Sequence, residues 1–258
     1  MLGAIAGDII GSRYEGRPVG DAHFGRFSTE STFTDDTVLT VATADALMHG
    51  GDYAEAYRRY YRRHPGAGYG GRFRRWAEVS DAGPYGSYGN GSAMRVSPIG
   101  WALDDLEGVL GEAERSAAVT HNHPEGIKGA QAVAAAVYLA RVGEDRGSIR
   151  RYLEERFGYD LGRTLEAIRP HYRFDVSCQG SVPESLIAFL ESDGYEDAVR
   201  KAVWLGGDAD TMACIAGAVA EAYFGLPQEI ADRAVERLSG DLRDGVKAFA
   251  QWLRVTPR

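Results

Sequence analysis

Four aspartates and three threonines stand in two short clusters near opposite ends of the chain. The first reads Thr34-Asp35-Asp36-Thr37; the second reads Asp208-Ala209-Asp210-Thr211 and is introduced by Gly206-Gly207. Each cluster precedes an apolar stretch with helical spacing. If the two helix starts meet, their carboxylates and hydroxyls form an all-oxygen pocket too negative to stand without cations. Such donors suit hard divalent ions, Mg²⁺ or Mn²⁺. Capping is the competing explanation. Thr34 is placed as an N-cap with Asp35 and Asp36 in the first turn, where a carboxylate gains roughly 0.3–1 kcal/mol from the helix dipole. Asp210 is likewise placed to cap a helix ending near Phe224. Capping accounts for one acid per helix but not for a second beside it. A carboxylate cluster without cations would also raise its own pKa values. From spacing alone, capping and metal binding both stay open.

Three further segments carry groups capable of chemistry. The run Gly7-Asp8-Ile9-Ile10-Gly11-Ser12-Arg13-Tyr14-Glu15-Gly16 leaves a helix for a polar loop, and Glu15 is read there either as a solvated loop acid or as a mobile acid that swings over the metals. Gly83-Pro84-Tyr85-Gly86-Ser87-Tyr88-Gly89-Asn90-Gly91-Ser92 is a glycine-rich loop of the kind that presents backbone N–H groups to a phosphate. It reads equally as a plain connection. Thr120-His121-Asn122-His123-Pro124-Glu125 places Pro124 in the first turn of a helix. Its His-x-His has no cysteine or third histidine nearby, which argues against zinc. It leaves ligand contact and helix-start capping as alternatives.

The elements that must position these residues are helical. Apolar residues recur at three- and four-residue steps over roughly 36–48, 107–118, 125–141, 197–205, 211–224 and 242–253. Period-two alternation is nearly absent, so the expected fold class is all-α. Gly3, Gly7 and Gly11 line one face of the first helix. Glycine costs about 1 kcal/mol relative to alanine in a helix, so the stripe predicts close approach of another backbone and a central place for this helix. The 258 residues, 44% of them hydrophobic, suffice for one domain spanning 1–258. The two acidic clusters must cooperate across most of that length.

The formal net charge is −8 and no basic stripe is present, so a nucleic-acid partner is not expected. The local basic runs Arg58-Arg59, Arg62-Arg63 and Arg72 to Arg75 read as wet helix faces. Cys178 and Cys214 form no metal or redox motif. Neither a basic leader nor a membrane-length apolar run is visible. A monomeric, cytoplasmic protein is expected.

In this order the segments resemble the ADP-ribosylglycohydrolase family. The matching pieces are Gly7-Asp8 with Gly11-Ser12 and Tyr14-Glu15, then Thr34-Asp35-Asp36-Thr37, Gly89-Asn90-Gly91 with Ala93-Met94-Arg95, Thr120-His121, and Gly206-Gly207-Asp208-Ala209-Asp210-Thr211. The resemblance implies a single-domain orthogonal multi-helix bundle with a central dinuclear Mg²⁺ or Mn²⁺ site. It implies Thr34, Asp35, Asp36, Asp208, Asp210 and Thr211 as metal ligands, with Glu15 and Asp36 handling protons. Gly86, Ser87, Tyr88, Gly89, Asn90 and His121 are implied on the substrate, with Tyr88 stacked on adenine. The implied reaction is hydrolysis of the C1″ glycosidic bond joining ADP-ribose to an arginine or serine of a protein. The alternatives are hydrolysis of free ADP-ribosyl compounds and a non-catalytic ADP-ribose reader.

Overall fold

In the computed structural model, which describes residues 1–17, 19–21 and 23–256, the helical periodicity is realised throughout. In chain order the helices are α1 (Leu2–Gly11), α2 (Asp35–Met48), α3 (Tyr53–Arg63), α4 (Gly71–Glu78), α5 (Ser97–Ala102), α6 (Leu106–Ala118), α7 (Pro124–Arg141), α8 (Arg146–Phe157), α9 (Leu165–Ile168), α10 (Cys178–Leu190), α11 (Tyr195–Leu205), α12 (Ala209–Phe224), α13 (Gln228–Glu236) and α14 (Gly240–Val255). Among the described residues the only strand-like pairing is an isolated antiparallel bridge between Gly89 and Ser177. The molecule is an all-α bundle.

Its axis is the pair α1 and α12, which run against each other along their lengths. The glycine stripe makes this possible. A Cβ added at Gly7 would lie 2.1 Å from the Ala213 carbonyl oxygen, and one at Gly11 would lie 2.5 Å from that of Ala209. Backbone therefore meets backbone where any side chain would hold the helices apart. On the other faces Ile5 and Ile9 are wholly buried, each contributing about 1.5–3 kcal/mol of hydrophobic stabilisation.

From Ala209 to Ala220, α12 is buried on every face, as expected of a helix apolar all round. Its neighbours are α1, α7, α10 and α11. On another side α2 joins α1, α3, α5 and α14. The starts of α2 and α12 and the end of α1 are thus brought to one place inside the bundle. No helix among the described residues is long and apolar enough to cross a membrane. Both cysteines are buried free thiols.

Candidate active site

The first acidic cluster is tied to α1 by Asp8. Its carboxylate accepts from the Thr34 N–H at 3.0 Å, the Thr34 hydroxyl at 2.8 Å, the Thr37 N–H at 3.2 Å and the Thr37 hydroxyl at 2.5 Å. Thr34 caps α2 as expected, its hydroxyl oxygen accepting from the Asp36 N–H at 3.3 Å. The two clusters meet directly. The Thr211 hydroxyl donates to Asp36 Oδ2 at 3.3 Å across 175 positions of sequence.

At the second cluster the structure corrects one expectation. Asp208, not Asp210, occupies the N-cap position of α12, and it makes no side-chain cap bond. Asp210 lies inside the first turn, where its Oδ1 accepts from the Thr211 N–H at 2.9 Å. The carboxylates of this cluster are therefore not consumed by capping. Gly206 and Gly207 take φ of +88° and +73°, a region only glycine enters freely, and so turn the chain sharply into α12. The Gly207 carbonyl accepts from the Gly16 N–H at 3.1 Å, which holds the Glu15 loop beside the second cluster.

Two groups of acids result. Asp8, Asp36 and Asp210 each offer an oxygen within 4.8 Å of the others, and so do Glu15, Asp208 and Asp210. Asp210 belongs to both. Burial raises the carboxyl pKa throughout, and neighbouring acids reinforce it at Glu15, Asp35, Asp36 and Asp210. Asp36 and Asp210 lie well above the usual aspartate value. Asp208 is raised chiefly by burial, and Glu15 by burial and by Asp208. Burial lifts Asp8 to about 6, even against the hydrogen bonds from its two threonines. Asp35 is pushed up to about 8 by burial and by Asp8. It lines the same cavity but belongs to neither group.

The residues present fit a pair of hard cations. Every donor is oxygen, the acids are too close to share one charge-free space, and the buried Asp36 Oδ1 has no hydrogen-bond partner. Four donors already engage Asp8, so it positions the cluster, whereas Asp36 keeps an oxygen free.

The acids form one end of a cavity of about 410 Å³, within the usual range for small-molecule sites. Glu15, Thr34, Asp35, Asp36, Ser87, Gly89, Asn90, His121, Asp208, Asp210 and Thr211 all line it. Gly86 and Tyr88 do not. The Tyr88 ring is 48% exposed and lies 5.2 Å from that of His123. Tyr85 and Phe73 face the cavity instead.

The glycine-rich loop is also more occupied than its sequence suggests. Its N–H groups at Gly86, Ser87, Gly89 and Asn90 donate to Asn122 Oδ1, the Thr120 carbonyl, Ser87 Oγ and the Val176 carbonyl. It leads only into a short 3₁₀ turn at Asn90–Ser92. Asn90 itself orients an acid, its Nδ2 donating to Asp208 Oδ2 at 2.7 Å. The two histidines divide the alternatives left by the sequence. His123 caps α7, its Nδ1 accepting from the Glu125 N–H at 3.1 Å, while His121 borders the cavity.

Three features escaped the sequence reading. Asp8 stands in a matching segment, but its spacing within an apolar helix assigns it no role. Arg72 sat in a run read as a solvated face, yet it lines the cavity at the start of α4 together with Gly68, Gly70 and Gly71. Arg95, at the end of a matching segment, is wholly buried beside the cavity.

Comparisons with known proteins place the chain in a family. The profile of the family described as ADP-ribosylglycohydrolase matches residues 1–257. The Homo sapiens ADP-ribosylhydrolase ARH3 is 28% identical over 310 aligned positions, covering 88% of this chain and 85% of that protein. The ADP-ribosylarginine hydrolase Tri1 of Pseudomonas putida (strain GB-1) is 26% identical, covering 95% of this chain and 76% of that protein. A solved structure described as an ADP-ribosylglycohydrolase-related protein complex is similar with a TM-score of 0.74 at 28% identity, over 98% of this chain and 94% of that one. With its helical fold, its converging acids and a match along essentially its whole length, this chain belongs to the ADP-ribosylglycohydrolase family of hydrolases.

Proposed function

We propose that the protein removes ADP-ribose from a modified arginine or serine side chain of a protein, and that two divalent cations, Mg²⁺ or Mn²⁺, serve the reaction. The observation that carries this reading is the meeting of Asp36 with the Asp208–Thr211 cluster, with Asp36 Oδ1 left unpartnered. Thr34, Asp35, Asp36, Asp208, Asp210 and Thr211 are the proposed ligand set. When bound, such cations neutralise the buried acids and supply an electrophilic anchor for ribose hydroxyls.

The chain's own residues do the rest. Water adds its oxygen to C1″ as the bond from C1″ to the side-chain nitrogen or oxygen breaks. The transition state has oxocarbenium character. The departing side chain gains a proton and the attacking water loses one. Glu15 and Asp36 are the proposed carriers of these protons. Glu15 is exposed and lines the cavity, its carboxyl pKa raised by burial and by Asp208. Asp36 lies deep in the site. Arg72, Ser87 and His121 line the cavity where the diphosphate and ribose would extend, and binding energy from that remote half holds the reacting carbon in place.

The test is hydrolysis of arginine- and serine-linked ADP-ribosyl peptides, alongside free ADP-ribosyl compounds, with each metal and with a chelator. Release of ADP-ribose from one peptide class, lost on chelation and lowered roughly hundredfold or more in Asp36→Asn, Asp35→Ala and Asp210→Ala, is expected. Turnover of free compounds alone would move the substrate to the alternative reading. Tight ADP-ribose binding without turnover would make the protein a reader.

A further inference from the structure

Arg95 is the largest fully buried side chain among the described residues. A buried guanidinium is costly unless it is well compensated, and no carboxylate pairs with this one among the described residues. Its centre lies 4.1 Å from the centroid of the Tyr57 ring, and its Nη2 donates to the Ser116 carbonyl at 2.8 Å and to Thr120 Oγ1 at 3.0 Å. Nε and Nη1 have no partner. Thr120 Oγ1 in turn lies 2.7 Å from His121 Nδ1.

Hydrogen-bond valence fixes the direction of this chain. Arginine only donates, so the threonine oxygen accepts from it. That oxygen has a second lone pair, but Thr120 is wholly buried and, among the described residues, Nδ1 is the one acceptor beside its hydroxyl, so the single hydroxyl proton points to Nδ1, the bare nitrogen of the ring. The hydrogen of a neutral imidazole so held resides on Nε2. That nitrogen faces the glycine-rich wall of the cavity: a Cβ at Gly91 would lie 3.4 Å from it. Burial, Arg95 and Arg72 all disfavour the imidazolium, which would have to donate from both nitrogens. We propose that Arg95, acting through the Thr120 hydroxyl, is a positioning residue that locks His121 as the Nε2–H tautomer and makes it a hydrogen-bond donor into the cavity. Only the identity of the ligand oxygen that receives this bond rests on the function proposed above.

The tautomer is read by nitrogen NMR of the histidine-labelled, full-length protein, with the His121 signals assigned by difference from His121→Ala. The expected spectrum shows a protonated Nε2 and a bare Nδ1, without imidazolium, from about pH 5 to pH 8. Thr120→Val should release the lock and give mixed tautomers, with kcat/KM about tenfold or more lower. Thr120→Ser should restore both. Arg95→Lys, which keeps the charge and a donor, should retain the wild-type spectrum. A wild-type ring protonated on Nδ1, or an unchanged spectrum in Thr120→Val, would overturn the proposal. These spectra need no substrate. Failure of turnover on every ADP-ribosyl compound would count against the function, while the tautomer stands or falls on its own.

Discussion

Two aspartates on neighbouring helices divide the work of the site. Asp36 has one oxygen held by the Thr211 hydroxyl and one with no partner. Asp8 has both oxygens engaged by the start of α2. Asp8→Ala should therefore act through organisation. It strands the Thr34 and Thr37 N–H groups and hydroxyls, and each unsatisfied buried group costs about 1–3 kcal/mol. The expected outcome in chemical denaturation is a loss of about 3 kcal/mol or more, with weaker binding of Mn²⁺ by calorimetry. Unaltered cation affinity in a folded Asp8→Ala protein would remove Asp8 from the site. The paired acids and Thr34 were legible as residue types at a telling spacing. Asp8 was not, because its partners lie on another helix and nothing local marks them.

At the scale of elements, the contact of α1 with α12 sets the distance between the two clusters. Gly7 is the tightest point of that contact, so Gly7→Ala forces backbone to move. Overpacking of this kind costs about 1–3 kcal/mol, and the displaced α1 also carries Asp8 away from Asp210. The expected result is a lowered denaturation midpoint together with weakened cation binding. A variant as stable as the parent would show that the stripe is not a packing requirement. The glycine spacing announced this close approach, and the long periodic helices were equally plain. Other elements were less so. The helix α10 is not among the periodic stretches, and Pro183 inside it removes an N–H from the ladder. Gly68, Gly70 and Gly71, before and at the start of α4, line the cavity although nothing in their spacing marks a site. Tyr88 reads as a stacking residue from its loop, yet that loop turns Tyr85 inward and leaves Tyr88 outside.

Over the whole molecule, acids drawn from distant segments couple cation binding to stability and to pH. In the unfolded chain an aspartate ionises near 3.8, whereas in the fold Asp8 ionises near 6 and Asp35 near 8. Between those values the folded protein holds protons that the unfolded chain has released. Without cations its stability therefore falls as pH rises through this window. Bound divalent ions favour the ionised form and offset that loss. The rise in melting temperature on adding Mg²⁺ or Mn²⁺ over chelator should be small near pH 4 and grow toward pH 8. Thermal scans across that range check it, and a cation effect that shrinks with rising pH would contradict the buried-acid account.

The sequence by itself determined the long periodic helices, the glycine stripe and the two helix starts crowded with acid, because these depend on spacing along one segment and on the chemistry of each residue type. It determined, through the order of its motifs, which family to expect. Only the tertiary structure decided that Asp36 and Asp210 share a site, that Asp208 takes the cap, that Asn90 orients an acid and that Arg95 stands behind His121. Those relations join residues far apart in the chain. They arise from helix packing, in which the position of a side chain depends on every layer beneath it rather than on its neighbours in sequence.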